Sequence, residues 1–135
     1  MNKQTRASAE ALVTVQSHQS KPFDESAGPR LMEIHIEEAF EGEIDGTSTV
    51  RALQVVHSDR SSSLTSLQRF RGKVGGRRGN FVLQGKGTVE DGRIALDWFV
   101  VPHSGTDDLS GLRGGGGFEG EFGKGSKARL DYWFE

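Results

Sequence analysis

The chain has no cysteine, three prolines, two methionines and a single tyrosine. Without cysteine there is no disulfide, no thiolate metal site and no cysteine nucleophile. No apolar run approaches the roughly 18 residues that cross a bilayer as a helix. The first ten residues are polar and lack the apolar middle of a secretion signal. A concentrated basic surface is also missing: 17 basic residues face 19 acidic ones, for a formal charge of -2. That balance argues against nucleic acid as the partner, since phosphate binding needs such a surface. The expectation is a soluble cytoplasmic protein that binds neither nucleic acid nor membrane. Amphipathic helices of three turns are lacking too.

What the chain has in excess is glycine, 19 in 135 residues, about twice the usual share of roughly 7%. Glycine weakens helices and serves tight turns and bulges. Period-two alternation recurs between the glycines. Ala9–Gln16 alternates through Ala11, Val13 and Val15. Leu31–Phe40 places Met32, Ile34, Ile36 and Phe40 on one face, against Glu33, His35 and Glu37. Ser48–His57, Leu64–Val74, Asn80–Val89, Arg93–Val101 and Ser126–Phe134 alternate likewise. Asp91-Gly92 suits the primed turns of a hairpin. Ser17–Arg30, with Pro22, Gly28 and Pro29, reads as a loop, Leu109–Phe122 as irregular, and Met1–Ser8 as a disordered tail.

About eight short strands with turns between them predict an all-β domain over residues 9–135, an eight-stranded antiparallel β-barrel. A two-sheet sandwich is the alternative. Eight strands leave an interior that side chains just fill, or one that holds a small ligand. Arg93–Val101 is apolar on both faces at its outer end. A barrel has only one inside, so homo-oligomerisation is expected.

Three stretches are distinctive: Phe40-Glu41-Gly42-Glu43-Ile44-Asp45-Gly46, Arg69 to Gln84 around Gly75-Gly76-Arg77-Arg78-Gly79, and Val100 to Gly114 around Pro102-His103-Ser104-Gly105-Thr106. With Leu130-Asp131-Tyr132-Trp133-Phe134 they resemble a bacterial family of small proteins of unknown function. That family looks like the allene oxide cyclase barrel, a fold similar to that of plant dirigent proteins. The resemblance implies an eight-stranded barrel with a lined interior. It implies no reaction, because a barrel hosts many.

Several residue groups could carry chemistry. His103, Ser104, Asp107 and Asp108 are the residue types of a nucleophilic triad, but they are also what a tight loop uses. Glu33, His35 and Glu37 share a strand face and are metal-ligand types, but they also fit the wet face of an outer strand. We therefore expect no metal. Gly115, Gly117 and Gly120 match G-x-G-x-x-G without the strand–helix context that dinucleotide binding needs, and no cofactor is expected. Arg69, Arg71, Lys73, Arg77 and Arg78 form a basic cluster that fits a solvated face or an anion site.

The leading reading is a small-molecule-binding barrel, with a cofactor-independent isomerase or cyclase acting on an apolar organic substrate as its catalytic form. The alternative is a filled barrel serving as an interaction module. Phe70, Phe81, Trp98, Val100, His103 and Tyr132 are the candidate ligand-binding residues. Glu43, Gln84, Asp97, His103 and Tyr132 are the candidate catalytic ones. Pro102–Asp108 is expected to form a loop at a barrel mouth, with His103 at the rim and Trp98 facing inward.

Overall fold

The computed structural model describes residues 6–121 and 124–135. Eight strands follow one another: β1 (Ala7–Asp24), β2 (Arg30–Gly42), β3 (Ile44–Ser58), β4 (Ser61–Val74), β5 (Arg77–Glu90), β6 (Arg93–Val100), β7 (Leu112–Glu121) and β8 (Ser126–Phe134). Each pairs antiparallel with the next, and β8 pairs back onto β1, giving a closed barrel in simple meander order. The one helical element among the described residues is a 3₁₀ turn at Asp107–Leu109. None is long and apolar enough to cross a membrane as a helix.

The expected alternation sets inside from outside. Ile34, Phe40, Val50, Ala52, Phe70, Val74, Phe81, Leu83, Leu96, Trp98, Val100, Ala128 and Leu130 are all buried. The turn between β5 and β6 has Asp91 at φ 49° and Gly92 at φ 81°, the two positive values of a primed hairpin turn. Gly46 and Gly72 face each other across β3 and β4, both with φ above +150°. A Cβ on either would strike backbone of the other strand, so the two strands meet at a corner that only glycine allows.

Three expectations fail. The stretch Ser17–Arg30 is a loop only at residues 25–29: β1 runs on to Asp24, paired with β2 as a long hairpin. Pro22 is tolerated because β1 pairs with β8 only from Ala7 to Val13, so its far half has one neighbour. The stretch from Leu109 is not irregular: Leu112–Glu121 is a regular strand paired on both sides. Its glycines let β6 and β8 come close, where side chains would collide with their backbones. The expected disordered tail over Met1–Ser8 does not hold for Ala7 and Ser8, which pair with Tyr132 and Asp131. Residues 1–5 and Phe122 lie outside the described residues.

One end of the barrel is solid. Phe40 meets Phe70 edge-on at 5.3 Å between centroids, Phe70 meets Phe81 at 5.0 Å, and Phe40 lies 6.4 Å from Trp98. Leu109 and Leu112 are buried against the same cluster. Large aromatics dominate such a core through buried area and favour these offset and edge-on geometries. Phe70→Ala is expected to destabilise the fold by about 3–5 kcal/mol. Leu53→Ala, on an exposed side chain, should stay within about 0.5 kcal/mol. Urea unfolding of both variants beside the parent checks the contrast.

Candidate functional site

The other end of the barrel is hollow. A cavity of about 510 Å³ occupies the lumen toward the β3–β4, β5–β6 and β7–β8 turns. Its wall includes Val13, Ile34, Val50, Leu64, Leu96 and Phe118. Phe118 stacks 5.4 Å from Trp98, so the floor of the cavity rests on the aromatic plug. On β1, a bulge between Val15 and Ser17 shifts the register. The extra residue reverses the alternation, so His18 and Ser20 turn toward the mouth.

In this apolar wall sits one buried acid. Glu38 on β2 is 6% exposed. Its Oε1 accepts a hydrogen bond from Gln68 Nε2 at 2.6 Å and a longer one from Ser48 Oγ at 3.5 Å. Gln68 Nε2 also donates to Ser48 Oγ at 2.6 Å. Three adjacent strands thus place one polar group each on a common inner patch. Burial pushes the Glu38 carboxyl up to about 7, against the opposing pull of the Gln68 and Ser48 hydrogen bonds. Near neutral pH it can both give and take a proton, as a general acid or base must.

The residues singled out in the sequence lie elsewhere. Phe70, Phe81, Trp98 and Val100 face inward as expected but fill the solid end, and none of them lines the lumen cavity. Trp98 spends its indole N–H on the Arg129 carbonyl at 3.3 Å. Tyr132 packs edge-on against Phe134 at the same end. Glu43 is exposed and accepts a bond from the Glu10 backbone N–H. Gln84 and Asp97 face outward, on a groove of about 680 Å³ shared with Leu67 and Phe99. Among the described residues an ionisable group is held out of water in the lumen and not in this groove, which makes the lumen the candidate site.

His103 is exposed, at φ 68°, on a loop whose polar residues serve the backbone. The loop begins just after β6 ends at Val100, beside Pro102. Ser104 Oγ accepts from Val82 N–H and donates to the Val101 carbonyl. Thr106 pairs with both backbone groups of Asn80, its hydroxyl accepting and its N–H donating. The loop therefore extends the pairing of β5 where β6 has ended, and it covers the solid end with Leu109. Gly79 gives it room: a Cβ there would strike the Thr106 carbonyl. His103, Ser104 and Asp107 are not assembled as a triad. On the outer face Glu33 pairs with His35 at 2.7 Å, which lowers its carboxyl below the ordinary value, and Glu37 pairs with Thr49. Arg77 stacks over Phe134 at 4.2 Å.

The sequence reading missed Glu38, Ser48, Gln68 and His18. For Glu38 a signal was present. It has the same parity as Ile34, Ile36 and Phe40, a charged residue in the middle of a dry face. Ser48 and Gln68 break the apolar parity of their strands in the same way.

A family of proteins of unknown function, DUF3224, matches residues 9–134. The chain belongs to this family. A crystal structure of another DUF3224 protein of unknown function, from Shewanella oneidensis MR-1, superposes with a TM-score of 0.73. It is 28% identical, and the match covers 98% of each chain. No curated protein matches. Family and fold thus agree for this DUF3224 chain.

Glu38 also links stability to pH. Its carboxyl is raised from 4.5 to about 7, so between those values the folded chain holds a proton that the unfolded chain has lost. Stability therefore falls as pH rises through that window and levels off above about 7. At about 1.4 kcal/mol per unit, the shift is worth on the order of 3 kcal/mol. Glu38→Gln keeps an acceptor for Gln68 and removes this slope. Denaturant unfolding at a series of pH values should show the variant gaining on the parent from pH 4 to 8.

Proposed function

We propose that the protein binds a small, largely apolar organic molecule in the barrel lumen. The supporting observation is the cavity of about 510 Å³ that combines a largely apolar wall with the buried polar cluster Glu38–Gln68–Ser48. Small-molecule sites characteristically pair such a wall with a few convergent polar groups that orient the ligand. The alternative of a wholly filled barrel fits one end of the molecule and leaves the hollow end without a reason.

A cofactor-independent isomerase or cyclase is the catalytic form of this reading. The titration of Glu38 near neutrality supports it, because a carboxyl tuned to the working pH is suited to moving a proton within an enclosed substrate. In that role Glu38 would transfer the proton, Gln68 and Ser48 would hold its carboxyl, and the apolar wall would fix the substrate's shape. The likeness to allene oxide cyclase and dirigent barrels enters as architecture alone, supported by the closed eight-stranded meander. Self-association has a basis on the outer face, where Leu53, Leu67 and Phe99 are each about half exposed on β3, β4 and β6.

The test is binding of the neutral fluorophore N-phenylnaphthylamine. The parent should enhance and blue-shift its emission. Ala52→Phe, which fills the lumen from a buried wall position, should weaken binding at least ~10-fold, a difference of ~1.4 kcal/mol. His103→Ala, on the outer loop, should bind as the parent does. Equal binding by folded Ala52→Phe would place the fluorophore outside the lumen.

A further inference from the structure

We infer that the lumen selects an apolar molecule bearing a basic amine, whose ammonium docks on Glu38. The inference rests on the lumen being the binding site and adds the chemical class of its ligand.

The charges around the cavity are few and one-sided. Among the described residues no lysine or arginine lines it. Its ionisable lining consists of His18 from β1, Glu38 from β2 and Glu121 from β7. The strands β3 to β6 and β8 contribute apolar, serine and amide side chains only. Glu121 is already neutralised at the lip, by Arg93 at 3.4 Å and Lys124 at 3.2 Å. His18 stands at the mouth on an exposed stretch of β1. Deep in the wall, Glu38 is the one acid without a basic side chain among its hydrogen-bond partners.

The geometry of Glu38 leaves a site open. Both of its hydrogen bonds fall on Oε1. Oε2 has no partner among the described residues, and it is not among the sealed polar atoms, so it faces the cavity. A carboxylate oxygen in an apolar enclosure gains most from a charge-assisted hydrogen bond. An ammonium supplies both the donor and the missing countercharge. A fatty acid or other anion would instead meet Glu38 with like charge and no cation to offset it. A neutral alcohol could donate one hydrogen bond without restoring charge balance. The energetic order is therefore amine, alcohol, carboxylate.

Docking an ammonium also reverses the effect of burial on Glu38 by favouring its charged form. At pH below about 7, the carboxyl of the empty protein is mostly protonated. Amine binding then has to release that proton. Amine affinity should rise by up to about tenfold per pH unit as pH approaches 7 from below, and level off above it.

The experiment is displacement of N-phenylnaphthylamine by decylamine, decanol and decanoate, which share one chain and differ at the head. At pH 8 the parent should bind decylamine at least ~10-fold more tightly than decanol, a gap of one decade in Kd, and decanoate least. The preference should collapse at pH 6. Glu38→Gln, confirmed as folded by its unfolding curve, should lose the amine preference and bind decylamine no more tightly than decanol. Decanol or decanoate binding as tightly as decylamine to the parent would overturn the inference and leave lumen binding standing. So would an amine preference that ignores pH or survives Glu38→Gln. Failure of all three compounds to displace the fluorophore would overturn the lumen reading and this inference together.

Discussion

The short seam between β1 and β8 governs the molecule. It runs from Ala7 paired with Tyr132 to Val13 paired with Ser126. Closing a meander of eight strands removes its edges and forces all inward side chains into one interior. Because the seam uses only the first part of β1, the rest of that strand and its partners β2 and β3 rise beyond it. The interior is consequently divided. Below, where every strand has two neighbours, Phe40, Phe70, Phe81 and Trp98 meet and fill the space. Above, where β1 continues with one neighbour, smaller side chains such as Ala52 and Ser66 line a void.

Glu38 sits in β2 on the hollow side of that division, two residues from Phe40 on the same inner face. Its neighbours across the sheet are paired in register: Ser48 lies opposite Glu38, and β4 brings Gln68 beside the pair. The strand register that buries the aromatics also delivers the carboxyl and its two supports to one patch. A one-residue slip would turn all of them to solvent. The polar cluster and the plug therefore depend on the same pairing.

Much of this architecture is legible from periodicity. Alternation identified the inner faces of β2 through β6 and of β8, and Asp91-Gly92 marked its turn. Two lengths were misread for physical reasons. Pro22 suggested a loop because a proline is excluded from a strand with two neighbours, and nothing local says that β1 has one there. The glycines of Leu112–Glu121 suggested irregular backbone because glycine is a poor strand former in isolation; closeness to β6 and β8 is a tertiary demand. The site was less legible. His103, Ser104 and Asp107 attracted notice as reactive types close in sequence, whereas the polar cluster draws Glu38, Ser48 and Gln68 from three strands. Each of those was visible only as a polar residue out of place on an apolar face.

The upper half of β1 has a further consequence, for coexistence with other chains. Beyond Val13 its outer edge carries backbone groups that no described strand pairs. An open edge of that kind is a template on which a second polypeptide could add a strand, the first step of amyloid-like stacking. Lys21 and Pro22 interrupt it, and a register break follows directly at Pro22–Asp24. A charge, a missing N–H and a local twist in three consecutive positions are the means by which sheet proteins refuse such additions. The same proline that hides the strand from a reader of the sequence also makes its edge a poor template for a neighbouring chain.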